Sequence, residues 1–437
     1  MWVLPATAAD YVFSGVNIVD LQRGEIIGNQ CLVISDQRIA QLGDAGDVVA
    51  PPAAEHINSE GWFVIPGMAE MHAHVPPQRS GEAHLDSTLR LFLANGVTTM
   101  RGMLGEPSHL QLRSQLASGE RIGPRLITSG PSFNGTSVET PRQAALMVRD
   151  QAAAGYDFIK LHPGLGPMEY QAITRAAAEA QLPIAGHVSV DVGLARTLRA
   201  SQASIEHLDG YAQELVPEDS PLHGRDPGFF GIAIASALSA DQIQTLARQT
   251  RRAGVWNVAT QSLLENILGD EPLEQLVSRP EMQYIDDELR ANWANSVRSL
   301  REQYSASERQ KFLQMRRLLI LALHEAGAGL LLGSDAPQIM NVPGFSIHDE
   351  LAFLVRAGLS PSQALLTATY QPAVFFGESQ QRGLLAPGYM AEVVFLRANP
   401  LQDIDHTRTI SGVYHQGRWH DREQLDRWLQ AIQQSLR

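Results

Sequence analysis

The chain is predicted to be an α/β protein: a (β/α)8 barrel of the TIM type carrying a small β-sandwich domain formed from both chain ends. Three observations predict it. Residues 62–385 alternate short apolar strands with amphipathic helical stretches, which is how a parallel sheet with crossover helices reads. Eight such strands can be counted, the number that closes a barrel. Both termini are written instead in short β segments broken by Gly, Asn and Asp turns.

The terminal segments come first. YVFSGVNIVD, CLVISDQ and RIAQLGD lie within residues 1–61, and AEVVFLR, ISGVYHQ and GRWHD within residues 386–437, ahead of a terminal helix. Together they are expected to form the small domain. The barrel strands are WFVIPGMAEMH, GVTTMRGM, PRLITSG, YDFIKLH, LPIAGHV, ASIEHLD, GVWNVATQS and AGLLLGSD. Segments between them, such as MEYQAITRAAAEAQ, carry apolar residues at helical spacing, and Gly96, Gly155 and Gly254 precede strands as helix stops. Two connections, 211–240 and 261–316, are too long for plain crossovers. Both follow strand carboxyl ends, the face on which barrel enzymes keep their sites, so both are candidate lids.

Composition narrows the function. The 437 residues, 44% hydrophobic and 19% charged, suit a folded chain with a large core. A net charge of -13 leaves no basic footprint for nucleic acid or an anionic membrane, so a small-molecule substrate is expected. No stretch approaches the ~18 apolar residues of a membrane span. The opening MWVLPATAADYVF ends its apolar piece in small residues as a cleavage region does, but lacks a basic start. A cytoplasmic protein is expected, with a periplasmic or secreted one, its export signal removed, as the alternative. The single cysteine, Cys31, excludes an intramolecular disulfide.

His72-Ala73-His74 closes the first barrel strand, and alternation puts both imidazoles on one side, where they can grip one ion. Lys160 ends the fourth strand, His187 the fifth, His207 the sixth and Asp335 the eighth. Singly each has a plain reading as a hydrogen-bonded core histidine or a helix cap. Five of eight strand ends bringing ligand-type groups to one rim is a different matter. Only Lys160 and Lys311 are lysine among 34 basic residues, so a lysine between Phe158, Ile159 and Leu161 asks for a reason. Burial would drive its amine toward the neutral form, which can capture carbon dioxide as a bridging carbamate. The alternative is an ammonium paired with Asp157 or Asp335.

In order, PGMAEMHAH, FIKLH, AGHVS, IEHLDG and LLLGSDAP resemble the amidohydrolase superfamily, in particular its imidazolonepropionase-like and prolidase-like members. GYMAEVVFLRANPLQDI and GVYHQGRW are similar to the closing β segment of those proteins. The resemblance runs from about Tyr11 to the end of the chain. It implies a two-metal centre: His72, His74 and Asp335 on one divalent ion, His187 and His207 on the other, and a carboxylated Lys160 between them. Zinc is the implied metal, although nickel, cobalt or manganese suits the same donors. The implied reaction is hydrolysis of an amide or peptide bond, in a dipeptide or N-acyl amino acid, by a metal-bridging hydroxide. Asp335 would act as general base and then general acid. Relatives often form homo-oligomers, which is the expectation here.

The sequence also departs from the pattern. Some prolidase-like relatives place a substrate-binding tyrosine just after the fifth-strand histidine, where this chain reads His187-Val188-Ser189, which puts a dipeptide specificity in doubt. Arg101, His162 and Tyr211 are candidate substrate-binding residues. Each has a structural reading beside it: a buried salt bridge for Arg101, a hydrogen bond to a ligand for His162, a packed tyrosine for Tyr211. Opening of a cyclic amide or lactone, or deamination, on the same barrel is the alternative chemistry. A non-catalytic scaffold ranks last, because scaffolds of this kind lose ligands and all six are present.

Overall fold

The computed structural model describes residues 10–436; residues 1–9, which include most of the apolar opening, lie outside it, as does residue 437. Strands from both ends of the chain join in one sheet. β1 (Tyr11–Asp20), β2 (Glu25–Ser35), β3 (Arg38–Asp44), β4 (Glu55–Asn58) and β5 (Phe63–Pro66) come from the amino-terminal side. A second group, numbered below as the last three strands, comes from the carboxyl-terminal side. β1 is the hub, antiparallel to β2 and parallel to both β4 and β5.

Eight strands follow in the middle of the chain: β6 (Met68–Ala73), β7 (Val97–Gly102), β8 (Arg125–Thr128), β9 (Ile159–Leu161), β10 (Ile184–Gly186), β11 (Ser204–Glu206), β12 (Trp256–Val258) and β13 (Leu330–Leu331). The last three strands of the chain are β14 (Val393–Leu396), β15 (Ile410–His415) and β16 (Arg418–Asp421). The terminal sheet runs β16-β15-β14-β5-β1-β2-β3, with β4 beside β1.

The expected sandwich of two sheets is one continuous sheet that curls on itself. Register shifts in β1 between Ser14 and Val16 and between Val16 and Ile18 bend the strand, as bulges do. Beyond β3, Arg38 bridges Met390 and the Ile39 amide donates to the Tyr389 carbonyl at 2.9 Å. The curl encloses an aromatic core, with Phe13 centred 4.4 Å from Phe395 and 5.0 Å from Trp419. Cys31 is buried and free.

Every pairing among β6 to β13 is parallel, in two arcs, β6-β7-β8 and β9-β10-β11-β12-β13. Isolated parallel bridges, Ser129 to Phe158 and Ala73 to Ala336, join the arcs at both seams. Ala69, Met71, Val258 and Leu331, from strands of both arcs, pack together. The stretch Trp62–His72, expected as one strand, is two: β5 pairs with β14 and β1 in the terminal sheet, and β6 begins the first arc. At Gly67, where they meet, an added Cβ would lie 2.3 Å from Thr98 Oγ1. Only glycine lets the chain pass that close to its neighbour.

The two long connections are ordered. After β11 come a short helix, Tyr211–Glu214, and a 3-10 segment, Phe229–Ala237. After β12, helices Gln261–Leu268, Leu273–Val277 and Asp287–Gln303 precede the long helix Ala306–Glu325. Ser305 starts that last helix with a capping box to Glu308.

Candidate metal centre

The carboxyl ends of β6, β9, β10, β11 and β13 converge. His72, His207 and Asp335 each offer a donor atom within 4.8 Å of one another, all three buried. His74 and His187 flank them, the ring of His74 centred 5.6 Å from His72 and that of His187 4.6 Å from His207. Lys160 is fully buried at the end of β9. Burial drags its Nζ down to about 8, against the pull of Glu206 and Asp335. That Nζ has no hydrogen-bond partner among the described residues. Asp157, its alternative partner, is taken by Arg113 at 2.7 Å and the Thr128 amide at 2.8 Å.

Local backbone explains how sequence neighbours reach one site. His207 and Leu208 have φ of 60° and 57°, and Asp335 has φ of 66°. These left-handed residues just past the strand ends break the strict alternation of side chains. Glu206 and His207, adjacent in sequence, therefore both face the centre.

Each of three imidazoles is held by its Nδ1. His72 Nδ1 lies 2.7 Å from Glu206 Oε2, and His187 Nδ1 2.7 Å from Asp209 Oδ2. His207 Nδ1 lies 2.8 Å from Thr260 Oγ1, whose own hydrogen goes to the Ala259 carbonyl. All three partners accept, so Nδ1 carries the hydrogen and Nε2 keeps its lone pair. Burial holds His72 well below the usual imidazole range despite Asp335. His207 is lowered in the same direction by burial and by His187 and His72. Neutral imidazole is the form that binds metal.

Asp335 Oδ1 lies 2.7 Å from His74 Nε2 and 3.3 Å from His72 Nε2. Burial would raise this carboxyl, but the electrostatic pull of His72 and Lys160 and the contact with His74 outweigh it and hold the group below its ordinary value. A buried, ionised carboxylate among neutral donors with free lone pairs, beside an orphaned amine, suits a divalent cation.

The amidohydrolase family model matches residues 63–420, most of the chain. The chain belongs to the amidohydrolase family. As a member it is a metal-dependent hydrolase of carbon–nitrogen bonds. This amidohydrolase is 24% identical over 459 aligned residues to the ochratoxinase of Aspergillus niger, covering 90% of this chain and 82% of the relative. Its fold is similar to that of a bottromycin amidohydrolase (TM-score 0.73, 26% identity, 98% of this chain and 90% of the other). It is also similar in fold to a Xaa-Pro dipeptidase with bound methionine (TM-score 0.68, 17% identity, 94% and 100%).

Two of the amidohydrolase's candidate substrate-binding residues have the contacts of the structural reading given beside them. Arg101 is buried, donating to the Met71 carbonyl at 2.7 Å, Ser204 Oγ at 3.0 Å and Glu206 Oε1 at 2.9 Å. It stacks on Phe158 and Phe375 and, through Glu206, supports His72 from below. Tyr211 is buried with its hydroxyl on Thr250 Oγ1 at 2.8 Å, a packing role reached because the helix it starts turns into the core. His162 does sit beside the centre, stacked 5.1 Å from His187, and burial next to Lys160 lowers it to about 2. Its Nδ1 has no hydrogen-bond partner among the described residues, and its contact with the centre is ring stacking on His187.

The structure adds residues that sequence reasoning passed over: Glu206, Asp209, Thr260 and Phe230. The first two stand inside the IEHLDG motif, a signal available in the sequence that was read for its histidine alone. Phe230 carried no signal. It reaches the centre from the 211–240 connection, with its ring 4.9 Å from His207 and 6.4 Å from His187.

Proposed function

We propose that this amidohydrolase cleaves an amide or peptide bond with a pair of divalent ions, zinc by its donor set, and that its two arcs are one closed (β/α)8 barrel. The observation that carries the reading is the set of imidazoles locked by Nδ1 around an orphaned, buried Lys160 amine. His72, His74 and Asp335 would hold one ion, and His187 and His207 the other. Lys160 would be shared between them as a carbamate: the neutral Nζ forms a bond to the carbon of CO2 and releases a proton. Bound divalent ions supply polarisation of a carbonyl and acidification of water.

The protein's own groups do the rest. Asp335, ionised and at the rim, accepts the proton of the attacking water on a carboxylate oxygen and returns it to the leaving nitrogen. Glu206, Asp209 and Thr260 keep the ligand imidazoles in one tautomer and orientation. Phe230 covers the centre and limits entry of bulk water. The names of the ochratoxinase, the bottromycin amidohydrolase and the Xaa-Pro dipeptidase support amide or peptide substrates. Elemental analysis of purified protein, paired with a hydrolysis screen over N-acyl amino acids, dipeptides, lactams and lactones, tests the reading. About two ions per chain and amide turnover are expected; a metal-replete protein that opens only cyclic substrates would overturn it.

A further inference from the structure

A cavity of about 350 Å³ opens beside His187, between the turn after β10 and the connection after β11. Its apolar wall is Phe229, Phe230, Val188 and Leu165, with Val190, 59% exposed, also lining it. Among the described residues no lysine or arginine lines it; its acidic side chains are Asp191 and Asp209. The turn that carries the aromatic pair is fixed by glycine. Gly228 and Gly231 have φ of 65° and 100°, and a Cβ on either would come within 2.7 Å of Ala233 or Ala212. Phe230 between them is itself left-handed, φ 52° and ψ 16°. Residues of this kind hold such a conformation where the surroundings impose it.

Resting on the amide-hydrolase reading above, we propose that this cavity is a specificity pocket for a bulky apolar group, neutral or cationic, of the amide substrate, and that it discriminates against a free carboxylate. Apolar walls reward burial of a ring or branched chain. Aromatic faces attract cations. Asp209 is taken by His187 Nδ1, but Asp191 is an exposed negative charge on the lining, so a carboxylate seated away from the metal-binding edge at His187 meets a like charge and no basic partner. The substrate class is thus an amide with a neutral or positively charged apolar end rather than one that ends in a free carboxylate.

The test uses N-benzoyl-alaninamide and acetyl-benzylamine series whose ring carries hydrogen, carboxylate or trimethylammonium at the para position, so that either half of the substrate can enter. kcat/KM is read on the metal-loaded enzyme, and binding by equilibrium dialysis on Asp335→Asn. In at least one series the para-carboxylate should fall roughly tenfold or more below the unsubstituted ring, with trimethylammonium at or above it. Asp191→Lys should narrow that ratio, and Phe230→Ala should weaken ring binding roughly three- to tenfold. A para-carboxylate favoured in both series, or a ratio unmoved by Asp191→Lys, overturns the proposal. Charge-ordered binding without turnover of any amide would support the pocket and overturn the amide-hydrolase reading instead.

Discussion

The Glu206 carboxylate meets the Nδ1 edge of His72 at 2.7 Å, joining a residue at the end of β11 to one near the end of β6. Its other oxygen takes the Arg101 guanidinium at 2.9 Å. One carboxylate therefore orients a candidate ligand and is itself held by a buried cation.

Glu206→Gln is expected to weaken metal retention about 10- to 100-fold, because an amide can present either a donor or an acceptor to Nδ1 and no longer enforces one tautomer. Competition with a chromophoric chelator measures this. Unchanged retention would remove Glu206 from the support of the centre.

Arg101→Met leaves Glu206 buried with only His72 and Ser204 of its three partners and no cation beside it, and should cost about 3–5 kcal/mol in folding stability. Arg101→Lys should recover little, since one ammonium cannot span Met71, Ser204 and Glu206 as the guanidinium fork does. Urea denaturation of the two variants decides it, and full recovery in the lysine variant would argue against the fork.

Asp335→Asn should keep the fold and much of the metal while losing roughly 10²- to 10⁴-fold in kcat, the usual weight of a proton-transfer group. Lys160→Ala should lose at least one ion. Metal content and kcat measured on the same preparations separate the two roles; an active Asp335→Asn enzyme, or a Lys160→Ala protein with both ions tightly held, contradicts them.

Glu350 gives a pH signature outside the ligand set. Its oxygens accept the Gln261 and Ser262 amides at 2.9 and 2.6 Å, at the start of the helix that follows Thr260. Burial outweighs those bonds and pushes the carboxyl up to about 7 from 4.5. Between those values the folded chain holds a proton that the unfolded chain releases. This contribution is thus complete below about 4.5 and lost as pH rises through about 7. Glu350→Gln cannot ionise, so its stability relative to the parent should climb across that window and level off above it. Parallel urea midpoints for the two proteins from acid to neutral pH would show the carboxyl is not perturbed.

The candidate ligands were legible in the sequence because they stand where strands end, and strand ends are marked by a change from apolar residues to turn residues. PGMAEMHAH, FIKLH, AGHVS, IEHLDG and LLLGSDAP each carry that change with a donor on it. The mixed α/β organisation was legible for the same reason, since it depends on local periodicity, whereas the single sheet that joins both ends in place of the expected sandwich was not. What lay beyond local pattern was decided by the tertiary structure. Positive φ at His207, Leu208 and Asp335 turns neighbouring side chains toward one point, and no alternation rule anticipates it. Arg101 became a support for Glu206 and Tyr211 a core residue because burial and partners are set by elements distant in sequence. Phe230 came to the centre along a connection whose course is dictated by packing, not by periodicity. A sequence states which donors stand at the strand ends; which partner satisfies each buried polar atom is fixed only when the chain has closed around them.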